Sequence, residues 1–120
     1  MAGAFLAAAR GGDMGALIAV LDPDVELRAD AAASPSGVPV TIRGAAAVAG
    51  GARAAASRAR YGRVALINGA PGLLMAPRGR LAVALAFTYS GDKISQIDVI
   101  ADPGRLAALD LAVLDLAGLG

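Results

Sequence analysis

The sequence predicts an α+β fold: a curved antiparallel sheet packed against N-terminal helices and one long helix, with a C-terminal helix at its end. Three observations carry this. Leu81-Ala-Val-Ala-Leu-Ala-Phe-Thr-Tyr89 alternates large and small side chains, turns at Ser90-Gly91-Asp92 and returns from Lys93 to Ala101, which is the pattern of a long hairpin. Asp102-Pro103-Gly104 then sets a capping carboxylate and a first-position proline ahead of apolar residues at helical spacing, out to about Leu116. Finally, two helical patterns precede the first strand. Strands in series with helices on one face are the signature of α+β domains.

Each element follows in order. Ala4 to Arg10 reads as a short helix stopped by Gly11-Gly12, and Asp13 caps a second, with Met14, Leu17, Ile18 and Leu21 at helical spacing before Pro23. Asp24 to Asp30 alternates, with Val25, Leu27 and Ala29 on one face and Asp24, Glu26, Arg28 and Asp30 on the other. Val38 to Ile42 is a short strand that Pro39 confines to a sheet edge. An Ala-rich helix runs from Arg43-Gly44 to about Arg60. Gly50-Gly51 in its middle should weaken it by roughly 1 kcal/mol per glycine, an expense that close packing on the sheet would explain. Gly62 to Asn68 and Leu73 to Ala76 are strands about a turn at Gly69–Gly72. Both faces of the Leu81–Tyr89 strand are apolar. Helices cover Leu81, Val83, Leu85, Phe87 and Tyr89; the Ala82, Ala84 and Ala86 face calls for a second subunit or a neighbouring domain.

Composition bounds the function. The chain of 120 residues makes one domain, 1–120, with a core that is aliphatic because 57% of residues are hydrophobic and only 3% aromatic. The absence of cysteine and histidine removes disulfides, thiol nucleophiles, Ser-His-Asp triads and most transition-metal sites. A net charge of +1 gives no global attraction to nucleic acid, and the arginines from Arg53 to Arg63 read as a solvated helix end. No cofactor, direct nucleic-acid contact or membrane span is expected, and the N-terminus has no signal pattern, so the expected location is cytoplasmic.

Several segments carry a resemblance: Phe5-Leu-Ala-Ala-Ala-Arg-Gly-Gly-Asp13, Leu21-Asp-Pro-Asp-Val-Glu-Leu-Arg-Ala-Asp30, Arg43-Gly-Ala-Ala-Ala-Val48, Ile67-Asn-Gly-Ala-Pro-Gly-Leu73 and Ile97-Asp-Val-Ile-Ala-Asp-Pro-Gly-Arg-Leu106. Together they resemble the C-terminal SnoaL-like domain of extracytoplasmic-function (ECF) sigma factors of the SigJ type, within the NTF2-like superfamily. The resemblance implies a cone-shaped fold with an apolar pocket and a non-catalytic regulatory role, either packing on sigma regions or sensing a ligand. It implies sigma-factor core regions or RNA polymerase as partners if the chain is part of a longer one, with Asp30, Asp102, Pro103, Arg105 and Leu106 at that contact. Where the family often has glycines and a lysine after its first-strand Asp, and Asn-Pro-Asp-Lys-Leu before its last helix, this chain has Asp30-Ala-Ala-Ala-Ser34 and Asp102-Pro-Gly-Arg-Leu106. With no room for promoter-binding regions in 120 residues, the chain is expected to be an excised domain or a free-standing relative. The free-standing alternative is a ketosteroid-isomerase-like isomerase, a polyketide cyclase or a small-molecule binder, homodimeric when isolated.

That alternative needs a carboxylate base in an apolar pocket and acids that stabilise an enolate. Aligned on the isomerases, the base position falls at Ala29, beside Asp30, and the acid position near Leu85. Asp30 and Asp98 are therefore the weak catalytic candidates. Asn68, Phe87, Tyr89 and Asp98 are the candidate lining of a pocket for a small apolar ligand. Each polar member also has a plainer reading: Asn68 as turn chemistry before Gly69, Tyr89 as a strand end, Asp98 as a solvent-side residue.

Overall fold

The computed structural model describes residues 2–113, which form one mixed sheet with helices against one face. Helices α1 (Ala2–Gly11) and α2 (Met14–Val20) meet at Gly12, whose φ of 63° turns the chain between them. The Asp13 carboxylate caps α2 by accepting from the Ala16 N–H at 3.1 Å. Strand β1 (Leu21–Ala29) starts directly at Leu21, earlier than the predicted Asp24, and an irregularity between Leu21 and Glu26 accommodates Pro23. Then follow β2 (Val40–Arg43), α3 (Ala45–Ala54), α4 (Ala56–Ala59), β3 (Gly62–Ile67), β4 (Ala70–Met75), β5 (Val83–Ser90), β6 (Lys93–Ile100), α5 (Pro103–Ala107) and β7 (Leu111–Val113).

The seven strands run in the order β2-β1-β6-β5-β4-β3-β7. Every described pair is antiparallel except β1 with β6, which is parallel; the all-antiparallel expectation missed this junction. Between helices and sheet lies the main core: Phe5, Leu6 and Ala9 of α1, Leu17 of α2, Val48 of α3, and Val25, Leu73, Leu85, Phe87, Ile94 and Ile97 from the strands. Small residues let α1 approach. A Cβ on Gly62 would stand 2.7 Å from Leu6 Cδ1 and 3.1 Å from Ala59 O, so a side chain there would force Leu6 to shift.

Three expectations are corrected. The long helix is broken at Ala55 into α3 and α4, and Gly50-Gly51 packs on nothing: a Cβ at either would meet no atom within 4 Å. The turn before β4 is only Asn68-Gly69, with φ values of 50° and 84° that suit a tight hairpin. Pro71 then sits inside β4, outside the Leu73–Met75 stretch that pairs with β5.

The third correction concerns the C-terminus. The predicted helix to Leu116 stops at Ala107, and Leu111–Val113 adds to the free edge of β3 (residues 114–116 lie outside those described). On the sheet face away from α1, α2 and α3, Leu106 of α5, Leu109 and Leu111 pack with Ile67, Ala84 and Ile100. Ala84 is fully buried. Part of the alanine face expected to need a second subunit is thus covered by the chain itself, and that burial, with the open β3 edge, draws this segment out of helix. Among the described residues no helix is long and apolar enough to cross a membrane.

Candidate functional site

The site forms where β1 and β6 end side by side. The Asp30 N–H donates to Val99 O at 3.1 Å, the last rung of the parallel ladder, and the chain then turns through a short 3-10 segment, Ala31–Ala33. The Asp30 carboxylate caps that turn by accepting from Ala33 N–H at 2.9 Å. It also accepts from the backbone N–H groups of Ala101 and Asp102, each at 3.0 Å, and faces the Arg105 guanidinium at 3.5 Å. One carboxylate therefore ties β1 to the β6–α5 connection, more than 70 residues away in sequence.

Next to it Asp102 caps α5, accepting from Arg105 N–H at 2.9 Å, with Pro103 in the first turn. Leu106 anchors the same turn in the outer apolar cluster. The Asp30 side chain is 10% exposed and that of Arg105 54%. Burial alone would push the Asp30 carboxyl up, but the N–H groups of Asp102, Ala101 and Ala33, with the Arg105 charge, hold it below its usual 3.8. Asp30, Asp102, Pro103, Arg105 and Leu106, expected at a sigma-region contact, are thus brought to one corner.

Of the expected pocket residues only Phe87 and Tyr89 are brought together. Phe87 lies in the main core, edge-on to Phe5 with ring centroids 5.3 Å apart, and Tyr89 follows at 6.3 Å. The Tyr89 hydroxyl donates to Pro71 O at 2.7 Å, and burial pushes its pKa up from 10. Asp98 pairs in register with Ala86 and Arg28, whereas Ile97 pairs with Phe87. Strand alternation therefore sends Asp98 to the face away from the helices, where Gln96 Nε2 donates to it at 3.1 Å. Asn68 is a latch: its side-chain oxygen accepts from Asp110 N–H at 2.9 Å while its own N–H donates to Asp110 O at 2.7 Å. A sheet separates Asp98 from Phe87, and Asn68 lies at the β3–β4 turn.

A surface depression of about 520 Å³ does exist, at the β1–β2 corner, lined by Pro23, Asp24, Glu26, Arg43 and Gly44. None of the expected site residues lines it. Glu26 there pairs with Arg28 and, at 3.2 Å, with Arg43. The alternating charges of Asp24 to Asp30 signalled a polar strand face, but not the crossing to Arg43.

No family model matches the sequence, and no curated protein matches it. Solved structures do. The ECF sigma factor SigJ of Mycobacterium tuberculosis superposes with a TM-score of 0.68 at 24% identity, covering 87% of this chain and 41% of SigJ. The fold is NTF2-like. An NTF2-like protein from Burkholderia xenovorans matches with a TM-score of 0.53 at 22% identity over 88% of each chain. A cystatin-like-fold protein from Silicibacter pomeroyi gives 0.56 at 17% identity, over 86% of this chain and 74% of its own. The SnoaL-like resemblance seen in the sequence thus stands at the level of fold. This chain spans about two fifths of SigJ.

Proposed function

We propose that this NTF2-like chain is a non-catalytic regulatory domain of an ECF-type sigma factor, working in the cytoplasm and modulating transcription initiation by docking its β1–β6–α5 corner on the sigma regions. One observation carries the reading: the residues that the SigJ resemblance assigns to such a contact converge on one corner, anchored by Asp30. At that corner the roles divide. Arg105 is exposed and offers a five-donor guanidinium to a partner; Asp30 lies beneath it and fixes the α5 turn. The likeness to SigJ supports the setting.

An isomerase or cyclase needs a carboxylate base against an apolar pocket. Asp30 is held by backbone donors and Asp98 lies on the other face of the sheet from Phe87, which weighs against that reading. The test is calorimetric titration of this chain with separately expressed sigma regions. Arg105→Ala should weaken binding by about tenfold, as exposed arginines at interface centres do, without lowering thermal stability. No measurable binding of the unaltered chain would sink the proposal.

A further inference from the structure

The net charge of +1 conceals a strong segregation. Residues 31–91 hold seven arginines and no acidic residue, a net +7. The rest of the chain holds four cations and all ten acidic residues, a net −6. The fold gathers much of the first group at one end. Arg60 immediately precedes β3 and Arg63 lies in its first turn of pleat; Gly62 pairs with Met75 at the far end of β4, and Arg63 with Leu74. The chain then passes through a 3-10 turn to Arg80, and Ala82 N–H donates back to Met75 O at 2.9 Å. Arg60, Arg63 and Arg80 are exposed and sit within two neighbouring strands of one another.

Arg10 reinforces this end from α1, its Nε and Nη2 donating to Ala59 O at 3.2 Å and Gly62 O at 2.7 Å. Arg53 lies along Gly12 nearby. Among the described residues none of these five arginines pairs with a carboxylate. Asp13, the acidic residue nearest to Arg10 in sequence, is engaged in capping α2.

We propose that this end, centred on Arg60, Arg63 and Arg80, binds the phosphate backbone of duplex DNA without reading sequence. Guanidinium groups match phosphate oxygens in geometry and charge. A protein partner would instead seek a buried apolar or aromatic centre, and this end has none: Ile18 and Val38 project from α2 and the β2 approach, and Tyr61 is overlaid by the Arg60 guanidinium 4.8 Å from its ring centroid. The same overlay occupies one face of the ring on which single-stranded bases would stack. A net charge of +1 does not argue against such a contact, because the sum cancels charges that lie in separate stretches of the chain. This surface shares no residue with the α5 corner.

The test is fluorescence anisotropy of a labelled duplex of arbitrary sequence titrated with the full 120-residue chain at graded salt. Three phosphate contacts give a slope of log K on log salt of about −2.7, hence a loss of about 40-fold between 50 and 200 mM salt. Changing Arg60, Arg63 and Arg80 together to Ala should abolish that slope, and the triple lysine variant should keep it. Arg63→Glu alone should weaken binding at low salt, in case the triple variant folds poorly; Arg28→Ala, whose arginine pairs with Glu26, should leave binding unchanged. The proposal is overturned by no duplex binding at 50 mM salt, by a slope unchanged in the triple alanine variant, or by poly-glutamate binding as tightly as DNA.

Discussion

Asp30 and Asp98 stand on neighbouring strands, both at positions that the sequence offers as weak catalytic carboxylates, and the structure treats them oppositely. Asp30 is nearly buried and accepts from three backbone N–H groups and Arg105. Asp98 is half-exposed with Gln96 as its side-chain partner. The lesson is that a carboxylate near a strand end becomes structural when backbone donors from a distant segment arrive around it. Sequence spacing does not report that arrival. The same contrast divides the two predicted clusters, since the α5 corner is assembled and the pocket quartet is dispersed over core, turn and outer face.

The core is where a single substitution should cost most. Phe87→Ala should cost about 3–5 kcal/mol in urea unfolding, because Phe87 packs edge-on against Phe5 inside the main cluster. A loss below 1 kcal/mol would mean that Phe87 borders an open pocket after all.

Asp30→Ala comes next, with an expected loss of about 2 kcal/mol from N–H groups left without an acceptor. Its pH signature has a definite sign. The folded pKa lies below the unfolded value, so the stabilisation is complete above the unfolded pKa of about 4 and fades as pH falls through the folded pKa. Asp30→Asn should flatten that acid limb of the stability curve, and an unchanged limb would contradict the role assigned to the carboxylate.

Asn68→Ala should cost about 1.5 kcal/mol: it removes the acceptor for Asp110 N–H and puts alanine at a φ of 50°. Thermal melts will show whether Asn68→Gly, which keeps the backbone freedom, recovers part of the loss. Smallest is Asp98→Asn, expected within 0.5 kcal/mol as for ordinary surface changes. A loss above 2 kcal/mol would mean that Asp98 has a buried partner and that the contrast with Asp30 is misdrawn.

Much of this was legible in the chain. The β5–β6 hairpin, the Asp13 and Asp102 caps, the Gly12 break and the polar face of β1 are set by neighbours in sequence, through turn chemistry, capping and side-chain alternation. The inward set Leu85 and Phe87 and the outward set Ala84 and Ala86 follow from the same period of two. The resemblance pointed to the corner residues.

What only the tertiary structure decided depends on contacts between segments far apart. The parallel β1–β6 junction, the four donors around Asp30, the β7 strand in place of helix and the self-covered Ala84 each arise when one segment offers an unpaired backbone edge or a bare apolar face and another fills it. Local propensity is worth tenths of a kcal/mol per residue, whereas even half-burying a leucine is worth about 1 kcal/mol. Leu106, Leu109 and Leu111 therefore went where the open sheet face was, and the helix predicted from their spacing ended at Ala107.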